Sequence, residues 1–187
     1  MTARFDFDRT ALPDLLVIRR KPMGDNRGFL ERMYCESEMR EAGVSRSIRQ
    51  INRTVTRARG TVRGLHFQRR PMAETKIVSC IRGRVFDVAV DLRAGSPTYL
   101  AWFGIELSAD NGLSMLIPEG FAHGLQTLED DCEMLYFHTA DYAAAAEGGL
   151  NAMDSRIGIA WPVPCTEISD KDRSLPTVEE GFEGFLS

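Results

Sequence analysis

Beyond Ser47 the chain is cut into short β-forming runs separated by glycine-, proline- and asparagine-rich turns, and this rhythm constrains the fold more than any other feature. The runs cover residues 48–56, 76–81, 84–92, 99–107, 114–117 and 133–139, with turn clusters at Arg82-Gly83, Ala94-Gly-Ser-Pro97, Ser108 to Gly112 and Pro118-Glu-Gly120. Strands recurring at about 8 to 12 residues with almost no helical period predict an all-β sandwich or barrel and argue against a parallel α/β sheet. Upstream, residues 14–21 and 29–34 read as two strands around a turn. The best helix signal is residues 36–42, which Gly43 ends. The run Val85-Phe-Asp-Val-Ala-Val-Asp91 alternates only in part, which suits a central strand with Asp87 and Asp91 facing a cavity. Residues 143–149 read as a loop or one short helical turn. The tail from about residue 160, with Pro162, Pro164 and Pro176, is expected to wrap the sandwich of one domain spanning 1–187.

Composition narrows the function classes. At 43% hydrophobic and 27% charged residues the chain reads as an ordinary soluble protein, and no apolar run approaches the roughly 20 residues a membrane helix needs. The N-terminal residues alternate apolar and charged side chains and lack the apolar stretch of a secretory signal, so a cytoplasmic location is expected. A formal charge of −4 argues against a nucleic-acid partner, although basic residues do cluster between Arg46 and Arg70. Cys35, Cys80, Cys132 and Cys165 are far apart with no C-x-x-C spacing, so reduced thiols are expected rather than disulfides or a zinc site.

Chemistry concentrates in the stretch 57–71, where Arg63, His66 and Gln68 lie among β-formers, with Gly60 and Gly64 allowing close backbone approach. The same residues would suit a polar strand exposed to solvent. Pro118-Glu-Gly-Phe-Ala-His123 has the P-x-G-x-x-H spacing of metal-binding cupins, but the companion H-x-H is missing: His66 is followed by Phe67 and Gln68, with Glu74 further on. Half a ligand set does not make a metal centre, so none is expected. Metal-free proton transfer next to a carbonyl needs a base, a donor for the enolate oxygen and an acid on the opposite face. His66, Lys76 and Tyr136 can fill these roles. Tyr136 reads equally as a packed aromatic, and Lys76 as a solvated strand-end charge.

Several separated motifs together resemble the dTDP-4-dehydrorhamnose 3,5-epimerase family, a metal-free cupin group. They are Asp25-x-Arg27-Gly-x-Leu-Glu31, Gln50-x-Asn52, Arg63-Gly-Leu-His-x-Gln68, Lys76, Asp87-Val-Ala-Val-Asp-Leu-Arg93 with Ser96-Pro-Thr98, and Ile117-Pro-x-Gly-Phe-Ala-His-Gly124. Tyr136 with Tyr142, Ile159-x-Trp-Pro162 and Ser169-Asp-Lys-Asp172 complete the set, in the family's order. The resemblance implies a cupin-type double-stranded β-helix, or jelly roll, with short peripheral helices. It implies epimerisation of a nucleotide-diphospho-4-keto-6-deoxyhexose at C3, C5 or both, with no cofactor. It makes His66 the proton acceptor, Asp172 its orienting carboxylate, Tyr136 the proton donor and Lys76 the enolate stabiliser. Arg63, Gln50, Asn52 and His123 would hold the diphosphate and sugar, Tyr142 would stack on the base, and Glu147 would be a further contact. Arg27 and Glu31 would reach across a homodimer with composite sites. Phe67, Thr54, Thr56, Leu125 and Ser155 depart from the usual pattern and leave open another nucleotide, another sugar, or inversion at one carbon only.

Overall fold

The structure is a computed structural model and describes residues 3–178 and 184–185; part of the expected wrapping tail, 179–183 and 186–187, lies outside the described residues. In chain order the elements are β1 (Phe5–Arg9), β2 (Leu16–Arg20), β3 (Met23–Asp25), β4 (Gly28–Leu30), α1 (Glu36–Glu41), β5 (Gln50–Thr56), β6 (Thr61–Gln68), β7 (Lys76–Arg82) and β8 (Arg84–Asp91). Then come β9 (Trp102–Ser108), β10 (Leu113–Ile117), β11 (Phe121–Thr127), β12 (Cys132–His138), β13 (Glu147–Gly149), β14 (Glu167–Ile168) and α2 (Asp170–Arg173). One antiparallel sheet has the order β1-β2-β10-β7-β12-β5, and the other has β13-β6-β11-β8-β9 with β14 parallel to β6. From β5 to β8 and again from β9 to β13 the chain alternates between the sheets, which is the winding of a double-stranded β-helix.

Between the sheets lies a core drawn from both, including Val78, Val85, Ala89, Met115, Phe121, Leu125 and Met134. The outer faces are covered as well. Met39 and Val44 pack with Phe5, Ile18, Ile77, Leu116 and Phe137 over the first sheet. Leu150, Ala152, Ile157 and Val178 pack with Val62, Leu65, Phe67, Val88 and Val90 over the second. Burial on both faces explains why β8 alternates only in part, because an apolar residue is favoured at even and odd positions alike.

The two expected cavity-facing aspartates part company. Asp87 points into the sandwich, whereas Asp91 closes the turn after β8 by accepting from the Arg93 guanidinium, from Ser96 Oγ at 2.6 Å and from Thr98 Oγ1 at 2.7 Å. Burial of Asp91 favours its neutral form, but these donors outweigh it and hold the carboxyl at about 2, below the ordinary 3.8. A depressed folded-state value stabilises above the unfolded value and is lost as pH falls through the folded one. Asp91→Asn is therefore expected to lower unfolding free energy by about 2 kcal/mol at neutral pH. It should also flatten the loss of stability between about pH 4 and pH 2, as read by urea melts across that range.

Strand expectations and structure differ at several places: β1, β3 and β13 form where no strand is expected, β13 within the stretch 143–149 that reads as a loop or helical turn. The strand expected over 29–34 ends at Leu30, and the one expected from Tyr99 begins at Trp102 after a turn. β11 is also unexpected, and it carries no alternation because all seven of its residues are buried.

Candidate active site

Inward-facing residues of five strands meet the tail around a cavity of about 360 Å³. Asn52 and Thr54 come from β5, Arg63 and His66 from β6, Lys76 from β7, His123 and Leu125 from β11, and Tyr136 and His138 from β12, with Ser169, Lys171 and Asp172 closing it. An adjoining hollow of about 150 Å³ shares Asn52, His66, Lys76 and His138 and adds, among others, Gln50, Glu74, Tyr142 and Glu147. A larger groove of about 750 Å³ beside residues 7–16 contains no histidine or lysine, so the convergence of titratable groups rather than size marks the candidate site.

Arg63 and His66 share the cavity although a regular strand would send residues three apart to opposite faces. The pairing of β6 with β11 slips between His123 and Leu125, opposite Gly64, which has φ +112°. That irregularity turns both side chains inward.

His66 is paired with the tail. Its Nε2 lies 2.7 Å from Asp172 Oδ1, and Asp172 Oδ2 accepts from the Gly64 N–H at 3.0 Å. Ser169 caps α2 by accepting from the Asp172 N–H, which fixes the carboxylate's approach. Burial raises the Asp172 carboxyl's pKa, but His66, the Gly64 N–H and the Lys171 charge outweigh it, so the group is held below its ordinary value and stays ionised. With the carboxylate accepting at Nε2, the imidazole presents Nδ1 as its basic nitrogen. The His66 side chain is 35% exposed, enough to meet a ligand, whereas Asp172 is 7% exposed.

The other two histidines are also held by buried carboxylates. His123 Nε2 lies 2.7 Å from Asp87 Oδ1, and His138 Nδ1 lies 2.9 Å from Glu74 Oε2. Glu74 also bonds Lys76 Nζ at 3.2 Å. With each histidine committed to a separate acid, the donors do not converge, and among the described residues no three His, Cys, Asp or Glu side chains are grouped to hold a metal ion. Burial pushes the Tyr136 phenol pKa up and the Asp87 charge adds to this, with Thr54 and Arg63 offsetting part, so the hydroxyl keeps its proton at neutral pH.

In the outer hollow Tyr142 is 58% exposed and donates from its hydroxyl to Glu147 Oε2 at 3.1 Å, while Lys171 Nζ meets Glu147 Oε1 at 2.7 Å. Gln50 Oε1 accepts from the Tyr142 N–H. Gln68 is instead tied to loop backbone at Met72, Asp141 and Ala143. Arg27 and Glu31 are the candidates that the chain does not bring to the cavity. The Arg27 side chain is 90% exposed and pairs with Asp25, and Glu31 bonds the buried Arg20 at 3.0 Å. Sequence reasoning gave no role to Thr54, His138 or Lys171. The first two lie two residues beyond Asn52 and Tyr136 on their strands, so strand alternation places them on the same faces.

Residues 9–180 match the family model described as dTDP-4-dehydrorhamnose 3,5-epimerase. The chain belongs to the dTDP-4-dehydrorhamnose 3,5-epimerase family. It is thereby an isomerase of the sugar-epimerase kind. It is 42% identical over 175 residues to the dTDP-4-dehydrorhamnose 3,5-epimerase of Sinorhizobium fredii, covering 93% of this chain and 90% of that one. Among solved structures, the Bacillus anthracis enzyme with TDP and pyrophosphate bound is 39% identical with a TM-score of 0.89, covering 92% of this chain and 99% of that one. The Legionella pneumophila enzyme in complex with dTDP-4-keto-L-rhamnose is 33% identical with the same TM-score of 0.89, covering 94% and 93%. These likenesses place the two-sheet sandwich among the cupin jelly rolls.

Proposed function

We propose that this chain epimerises a dTDP-linked 4-keto-6-deoxyhexose by proton transfer on opposite ring faces, converting dTDP-4-dehydro-6-deoxyglucose to dTDP-4-dehydrorhamnose. The observation that carries this reading is the His66–Asp172 pair in one cavity with Lys76 and a protonated Tyr136. The C4 ketone acidifies the hydrogens at C3 and C5. His66 Nδ1 removes one of them, the electron pair moves onto the C4 oxygen, and the Lys76 ammonium stabilises the enolate. Tyr136 then gives its proton to the same carbon from the other side, which inverts it. Exchange of the His66 proton and the Tyr136 phenolate with solvent restores both groups for the second centre.

The remaining candidates divide by position. Arg63, Asn52 and His123 line the inner cavity, where they would hold the sugar and diphosphate; Lys171, which also lines it, extends that set. Gln50, Tyr142 and Glu147 line the outer hollow, where an exposed tyrosine ring offers a stacking surface for the nucleobase. Arg27 and Glu31 would act from a homodimer partner. Exposed Phe29, Leu30, Ile51 and Val55 give the chain an apolar surface suited to such an interface. In this reading the chain works as one cupin-type domain whose tail supplies Asp172, and it acts in the cytoplasm; no helix among the described residues is long and apolar enough to cross a membrane.

The test is incubation with dTDP-4-keto-6-deoxyglucose in deuterated water. Deuterium is expected at both C3 and C5 of the product. Deuterium at one centre would limit the enzyme to single inversion, and no deuterium at either would sink the reading.

A further inference from the structure

We infer that Glu74 and His138 form a positioning pair that holds the proposed enolate stabiliser and the proposed proton donor in register with each other. The inference rests on the function proposed above and extends it to two residues that carry no role there.

Lys76 and His138 face each other directly across the β7–β12 ladder, so their side chains leave the sheet on the same face about 5 Å apart at Cβ. Two basic side chains so placed repel when both are protonated. Glu74, two residues before Lys76, lies between them and bonds both, Lys76 Nζ at 3.2 Å through Oε1 and His138 Nδ1 at 2.9 Å through Oε2. It is 9% exposed, and its two partners outweigh the effect of burial, so the carboxyl is ionised at neutral pH.

The His138 ring, anchored in this way, is stacked with Tyr136, with centroids 6.0 Å apart and planes 16° from parallel. A second anchored histidine, His123, packs against the Tyr136 ring in a T-shaped arrangement, with centroids 5.9 Å apart and planes at 71°, and Asp87 holds it. A tyrosine phenol that must deliver a proton to one face of a sugar ring needs its aromatic plane fixed, and small misplacement costs rate steeply. The carboxylate that fixes Lys76 is also the one that fixes the ring stacked with Tyr136. Glu74 therefore links the group that meets the C4 oxygen to the group that reprotonates the neighbouring carbon. Neither Glu74 nor His138 is asked to bond the substrate.

The experiment compares the wild-type chain with Glu74→Gln, which keeps shape and removes charge, and with His138→Ala, which removes the stack. Glu74→Gln is expected to lower kcat by about tenfold or more, with KM and dTDP affinity within about twofold of wild type. His138→Ala should raise deuterium incorporation with retained configuration relative to incorporation with inversion. An enolate whose donor is misaligned takes its proton back from solvent-exchanged His66. A role in folding alone would not move that ratio. Wild-type rates and ratios in both variants would overturn the pair while leaving the epimerase reading intact. Absence of exchange in the wild-type chain would overturn both. If His138→Ala fails to fold, His138→Asn serves in its place, keeping a polar side chain toward Glu74 without the ring.

Discussion

His66→Ala is expected to reduce epimerisation by roughly 1000-fold or more and to abolish deuterium incorporation at C3 and C5 alike. Both centres should fail together because one base is proposed to serve them both. His66 is the histidine that combines an orienting carboxylate with substantial exposure, its side chain 35% exposed against 14% for His138 and 8% for His123. Asp172 accepts at Nε2 and leaves Nδ1 to take the proton. Alanine removes the proposed base but leaves Lys76, Tyr136 and the other groups lining the outer hollow in place. Affinity for dTDP, measured by calorimetry, should therefore stay within about threefold of wild type, separating loss of proton abstraction from loss of binding. Exchange persisting at the wild-type rate would move the base elsewhere, with His138 and its Glu74 partner the next to test.

The fold class and much of the site are legible in the sequence for a physical reason. Short runs with turn residues between them leave few architectures open, and the strands 48–56, 76–81, 84–92 and 133–139 lie close to β5, β7, β8 and β12. What stays hidden depends on pairing. β11 carries no period because both its faces are buried, and its Gly124 and Gln126 look like loop residues until β6 and β8 are placed beside them. The bonds from Glu74 to His138 and from Asp87 to His123 join residues 64 and 36 apart. Only the register of β7 with β12 and of β8 with β11 brings these partners together. Asp91 shows the converse. Strand spacing puts it on the same face as Asp87, but at the strand's last position it binds the next turn. Arg27 and Glu31 illustrate a different limit, because residues proposed to act on a partner's site cannot be brought to the cavity of their own chain.

Gly64→Ala should be the most damaging single-atom addition to the fold. Gly64 has φ +112°, and a Cβ placed there would sit 2.7 Å from both Gly124 Cα and the His123 carbonyl oxygen. Both obstacles are backbone atoms of the neighbouring strand, so no side chain can rotate to relieve them. Gly124 reciprocates, its own Cβ meeting the Arg63 carbonyl oxygen at 2.8 Å. The two strands thus touch backbone to backbone where their register slips, and that slip is what turns Arg63 and His66 into one cavity. A methyl group there must push β6 from β11 and move the Gly64 N–H away from Asp172. Destabilisation of roughly 3 kcal/mol or more is expected, a drop in Tm on the order of 10 °C for a chain this size. Gly95 provides the control. Its φ of +78° is also left-handed, but a Cβ there meets nothing within 4 Å, so Gly95→Ala should cost only about 1 kcal/mol. Equal melting temperatures for the two variants would show that the β6–β11 contact yields easily, and the close approach of two glycines would then not explain how the proposed base, His66, is aimed.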